Sequence, residues 1–238
     1  MDGPVEGIWV PIISDILGRE IERGKLLLGL FEPAADWLSF ILTLASPLLQ
    51  KGYVVDIQTT ITPPREIRRI LSRAIPKLDD PGVANRLRIS DIYTWQTGRK
   101  SDEFESADSF SLAKTSIDFG TKWLKQSMVN YDFVVMDSFS PFLRYNEERA
   151  FTQWLDRMVP HAREMNGVRL WSFFKRSHSD TFYAVLESLA DGIIELDYRE
   201  TASVLEHVLR VTSMKGMPHP TDWRKLKVKS NGFMELLT

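Results

Sequence analysis

KLLLGLFEPAADWLSFILTLASPLL, residues 25–49, is apolar over more than the roughly 18 residues a bilayer-spanning helix needs. Its middle excludes that reading. Glu32 and Asp36 would each cost about 2.5–3.5 kcal/mol at a bilayer centre, and Pro33 would break the helix between them. The stretch reads instead as a buried strand (Leu26 to Leu30), a tight turn (Glu32-Pro33-Ala34-Ala35) and a helix that begins near Asp36 or Trp37 and ends before Pro47. A strand, turn and helix in this order is where many α/β proteins hold phosphate.

Outward from that unit the chain keeps alternating. Residues 1–24 form a lead-in with Ile12, Ile13, Ile16 and Leu17 at helical spacing. Downstream, Tyr53 to Gln58, Arg86 to Tyr93, Tyr131 to Met136, Val168 to Phe174 and Gly192 to Leu196 read as strands. Between them, helices are predicted from Pro63-Pro64, over Ser109 to Met128, along the stripe Phe151, Trp154, Leu155, Met158, Val159 and Ala162, and over Thr181 to Leu189. Thr97 to Ser106 reads as a polar, mobile surface loop. From residue 199 to 238 successive β-rich runs separated by turn residues suggest an antiparallel extension. The expectation is one α/β domain over 1–238, with a mostly parallel central sheet flanked by helices.

The 238 residues carry a net charge of -2, so no global field recruits nucleic acid or anionic lipid. The absence of cysteine removes disulfides, thiolate metal sites and thiol nucleophiles together. His161, His178, His207 and His219 show no ligand spacing, so no metal site is expected. With no segment that reads as a signal peptide, the expected compartment is the cytoplasm, with no membrane partner.

Several short motifs fall on the right elements in order. Ser14-Asp15-Ile16-Leu17-Gly18 with Ile21-Glu22-Arg23-Gly24, Tyr131 to Ser138, Ala190 to Leu196, and Met214-Lys215-Gly216 through His219 are similar to the lead-in, Walker B strand, "ADGVIEL" strand and "KMRGxxH" segment of the KaiC-like branch of the RecA superfamily of P-loop ATPases. The resemblance covers most of the chain and implies a RecA-like fold. Where that family has GxxxxGK[ST], this chain reads Phe31-Glu32-Pro33-Ala34-Ala35-Asp36-Trp37-Leu38. Glycines let a phosphate loop curl its N–H groups round the anion, lysine neutralises it and the hydroxyl binds magnesium. Phe31 and Asp36 remove the glycines, Trp37 the cation and Leu38 the hydroxyl. Asp36 reads as the helix N-cap in place of phosphate. At Gln58-Thr59-Thr60-Ile61-Thr62-Pro63 the family's paired glutamates are missing.

The resemblance therefore implies a pseudo-ATPase that binds protein partners or self-associates, with no catalytic residue and no cofactor. Its relic nucleotide-site positions are Phe31, Asp36, Trp37, Leu38, Asp137 and Ser138. ATP with magnesium at a non-standard site, and single-stranded DNA on the loop Lys175-Arg176-Ser177-His178, are the alternatives. Asp137 is expected to cap its own Asp-Ser turn, or else to contact a metal or ligand. Phe31 and Trp37 are expected either to fill the old pocket or to form an exposed patch. Lys175, Arg176, Lys215, His219 and Trp223 are candidate interface residues, and Arg224, Lys225, Lys227 and Lys229 read as the solvated face of an edge strand.

Overall fold

The computed structural model of the chain describes residues 7–103, 105–106, 131–201 and 204–237. The predicted helix over Ser109 to Met128 lies outside the described residues. The lead-in forms two short paired strands, β1 (Gly7–Ile8) and β2 (Ile21–Glu22), around helix α1 (Ile13–Leu17). Entry to α1 is strained: Ile12 has φ 62° and ψ -53°, and the Ile13 N–H bonds to Pro11 O at 2.6 Å, the geometry of a γ-turn. Asp15 holds it by accepting the Ile12 N–H at 2.9 Å.

The opening unit is strand β3 (Leu26–Phe31) and helix α2 (Trp37–Gln50). Further strands are β4 (Val55–Thr59), β5 (Leu87–Asp91), β6 (Glu105–Ser106), β7 (Phe133–Met136), β8 (Val168–Phe174), β9 (Gly192–Thr201), β10 (Val204–Met214), β11 (Arg224–Val228) and β12 (Met234–Leu236). Helices α3 (Pro64–Ala74), α4 (Pro81–Ala84), α5 (Glu148–Glu164) and α6 (Asp180–Leu189) connect them. Among the described residues one sheet runs β12-β11-β10-β9-β3-β8-β7-β4-β5-β6, parallel from β9 to β6 and antiparallel from β9 to β12. This is the expected α/β architecture with its antiparallel end.

Strand β3 lies at the centre, paired with β8 on one side and β9 on the other, and every residue in it is buried. Both faces are covered, so the strand reads as an unbroken apolar run. Leu27 and Phe31 pack into the core under α2, while Leu26, Leu28 and Leu30 pack into the core under α5 and α6. All six residues of the α5 stripe are buried in that second core. At the amino end of β8, buried Arg169 donates to the carbonyls of Ala162 (2.9 Å) and Met165 (3.2 Å), tying the end of α5 to the sheet. Burial pushes its guanidinium down to about 10, against the opposing pull of Asp56.

Three expectations change. Helix α2 does not stop before Pro47 but runs through it to Gln50. Leu48 and Leu49, beyond the proline, are fully buried, so apolar packing outweighs the lost hydrogen bond. The described residues of the 97–106 segment are pinned: the Ser101 hydroxyl bonds Asp91 at 2.5 Å, Glu103 pairs with Arg68 at 2.6 Å, and Glu105–Ser106 adds a short strand beside β5. The basic strand β11 is not an edge, because β12 pairs outside it. Among the described residues no helix is long and apolar enough to cross a membrane.

Candidate functional site

The carboxyl end of β3 opens at the centre of the sheet, where its neighbours β8 and β9 belong to different connections and open sheets place ligands. In this chain the opening is filled. Phe31 and Trp37, on either side of the turn, stack with ring centroids 4.6 Å apart and planes 5° from parallel, and both are almost wholly buried. Phe174 at the end of β8 meets Phe31 edge-on at 4.8 Å, and Phe40 meets Trp37 at 5.1 Å. Gly29 makes the fit possible: a Cβ there would stand 2.7 Å from the Trp37 Cη2. Leu38 is partly buried against the α2 core. Both aromatics are buried, so they form no exposed patch.

The backbone of the turn is equally committed. The N–H groups of Glu32, Ala35 and Trp37 donate to Leu196 O (3.1 Å), Glu32 O (2.9 Å) and Ala35 O (2.8 Å). The Ser39 N–H donates to Asp36 Oδ1 at 3.0 Å, so Asp36 is the N-cap of α2 as expected, and it also accepts the Ser39 hydroxyl at 2.6 Å. The Asp36 N–H donates to His207 Nε2 at 3.2 Å. Buried Glu32 adds a second carboxylate, neutralised by Arg176. An anion at this turn would have to break those bonds beside two carboxylates.

Asp137 ends β7 in full burial. It does not cap its own Asp-Ser turn, as expected, but the turn after β4. Its Oδ1 accepts the Thr60 N–H and hydroxyl, each at 2.7 Å, and its Oδ2 accepts the N–H groups of Ile61 (3.1 Å) and Thr62 (3.0 Å), with the Thr59 hydroxyl at 3.1 Å. The threonines at 59, 60 and 62 are thus its partners. Burial pushes the Asp137 carboxyl up, opposed by hydrogen bonds from Thr60, Ile61 and Thr59. Ser138 is wholly buried and accepts the Ser140 N–H at 3.1 Å, which leaves it no approach to a substrate. Among the described residues no three metal-ligating side chains converge.

The five candidate interface residues separate. Lys175 joins Trp223 in a cluster on β9 and β10: its ammonium is 2.6 Å from Glu195 and 3.3 Å from Asp197, and lies 5.4 Å from the Trp223 ring. Arg210 and Arg199 also stack against that indole, at 4.4 and 5.0 Å. Burial pushes the Glu195 carboxyl up, yet the hydrogen bonds from Lys175, Thr212 and Arg210 together hold it below the usual range. Arg176 turns to Glu32 instead. Lys215 lies at the amino end of the parallel strands, donating to Ser188 O at 2.7 Å, so it does not reach the β3 turn. His219 bonds locally to Met217 O at 2.8 Å. Sequence reasoning missed His207, Gly29 and Glu195. His207 shares a strand face with Leu209 and Val211, which pack under α2, and that spacing was its only signal.

No protein-family profile matches the chain, and no curated protein matches it. Solved structures do. A crystal structure of a KaiC-like protein from the hyperthermophilic archaeon Pyrococcus horikoshii OT3 superposes with a TM-score of 0.69 at 16% identity, over 99% of this chain and 100% of that one. The chain therefore shares the fold of that KaiC-like protein.

Proposed function

We propose that the chain is a non-catalytic KaiC-like protein, a pseudo-ATPase whose β3–α2 turn has exchanged phosphate binding for packing. Its surfaces serve protein partners or self-association. The observation that carries this reading is the Trp37 indole stacked on Phe31 inside the turn. A P-loop needs free N–H groups, a cation and a hydroxyl at that point. Here the donors end on Leu196, His207 and the turn's own oxygens. Asp137, the residue in the Walker B position, has both oxygens engaged by the 59–62 turn, so magnesium would have to displace hydrogen bonds that hold two strands together. The single-stranded DNA alternative is weakened because Lys175 and Arg176 both sit on carboxylates.

Phosphate release from magnesium-ATP tests the reading. Release at the buffer background is expected, together with no ATP-competable labelling of residues 31–38 by a photoreactive ATP analogue. Turnover that follows the purified chain through successive chromatographic steps, or labelling of that turn, overturns it. Light scattering of the purified chain tests self-association separately, and a monomer at all concentrations leaves only the partner-binding form of the proposal.

A further inference from the structure

The chain is slightly acidic as a whole, yet residues 64–100 hold nine Lys and Arg against four Asp and Glu. This stretch includes α3, α4, β5 and the segment after β5. At its end, on the carboxyl side of β5, lies a cavity of about 400 Å³ between the start of α3 and the 97–103 segment. It is separated from the β3 turn by β8, β7 and β4.

Three cations line it without an ion pair to any described residue: Arg65 in the first turn of α3, and Arg99 and Lys100 from the loop. The lining acids are largely engaged. Glu103 is held by Arg68 through two hydrogen bonds of 2.9 and 2.6 Å. Asp91 is buried and accepts the N–H groups of Tyr93 (2.8 Å) and Thr94 (2.9 Å) and the Ser101 hydroxyl. Only Asp102 remains as a lining carboxylate without a described partner. The loop that carries Arg99 and Lys100 is fixed on both sides: Gly98 turns it at φ 70°, and Ser101 and Glu103 anchor it to Asp91 and Arg68. The backbone that carries the two cations is therefore anchored by the fold before any ligand arrives.

We propose that this cavity is a binding site for a small ligand bearing a di- or triphosphate group. Its volume falls in the range of small-molecule sites and exceeds what a single phosphate fills. Arg65, Arg99 and Lys100 offer charge-assisted bonds from two guanidinium forks and one ammonium, and with Arg68 the lining cations outnumber the carboxylates Asp91, Asp102 and Glu103 by four to three. Pro63, Pro64 and Tyr93 supply apolar walls for the rest of the ligand. The site is independent of the β3 turn, so its failure would leave the non-catalytic reading untouched.

Calorimetry with sodium tripolyphosphate at about 50 mM salt, where screening is weak, is the test. Saturable binding of one equivalent is expected. The paired substitution Arg99→Ala and Lys100→Ala should weaken it about tenfold or more, since each lost charge-assisted contact is worth up to about tenfold. Arg65→Ala, on a different element, should weaken it independently, whereas Lys225→Ala with Lys227→Ala should not. All five side chains are on exposed residues, so the variants keep the core intact. Absence of binding, or binding indifferent to Arg65, Arg99 and Lys100, overturns the proposal. So does a single-stranded oligonucleotide that binds in a salt-sensitive way where tripolyphosphate does not.

Discussion

Replacing Trp37 by alanine and Gly29 by alanine, singly and together, measures how far the β3 turn is a packed core. Truncating a buried tryptophan costs about 3–5 kcal/mol, and the lost stack on Phe31 adds about 0.5–1.5 kcal/mol. The indole Nε1 is buried without a hydrogen-bond partner among the described residues, so removing it returns about 1–3 kcal/mol. The net expectation for Trp37→Ala is a loss of about 3 kcal/mol. Gly29→Ala places a methyl 2.7 Å from the Trp37 Cη2 and 3.0 Å from its Cζ2, against the end of a ring that is itself clamped by Phe31 and Phe40. Overpacking of that kind costs about 1–3 kcal/mol. In the Trp37→Ala background most of the clash is gone, with only the Leu170 Cδ1 contact at 3.3 Å remaining. The double variant should therefore be nearly as stable as Trp37→Ala alone, giving a coupling of about 1–3 kcal/mol in urea denaturation followed by circular dichroism. Losses that add within about 0.5 kcal/mol, or a Trp37→Ala loss below about 1 kcal/mol, would refute the closed turn.

Asp137→Ala should cost about 3 kcal/mol or more, because it strands the buried N–H groups of Thr60 and Thr62; a loss under about 1 kcal/mol in the same assay would show that this carboxylate does not hold the 59–62 turn. His207→Ala removes the acceptor of the Asp36 N–H and should cost about 1–2 kcal/mol, with His207→Gln recovering part of it; equal losses in the two variants would count against the cap. Glu195→Gln should destabilise by about 1–3 kcal/mol near neutral pH. Because the folded state lowers the Glu195 pKa from its usual 4.5, its contribution is present above that value and disappears as pH falls through the depressed one. The gap between wild type and variant should close in acid, and a gap that does not change with pH would contradict the Lys175–Glu195–Arg210 cluster as its source.

Periodicity carried most of the fold because it reports burial directly. The apolar run of β3, bounded by Glu32 and Pro33, reads as a strand covered on both faces, and the α5 stripe reads as one face of a helix. Pro47 shows the limit of local signals: its preference against helix interiors is outweighed by the burial of Leu48 and Leu49, which depends on what packs against α2. The polar residues of the segment after β5 give no periodicity, so the sequence alone suggests a mobile loop. Its anchors, Asp91 and Arg68, come from β5 and α3, and no local pattern announces a hydrogen bond between elements.

At the candidate site the division is sharper. Which groups the turn lacks was legible in the sequence, since residue types alone say that Phe31, Asp36, Trp37 and Leu38 provide no glycine, cation or hydroxyl. Asp36 as an N-cap was legible too, because a cap is a contact between residues three apart. What packs around the turn was decided only by the tertiary structure. His207, 171 residues from Asp36, supplies the missing acceptor; Gly29 leaves room for the indole; and Asp137 closes a turn 75 to 78 residues before it. Short-range chemistry is written in neighbouring residues, whereas the partners of a buried polar group are set by which strands the sheet brings side by side.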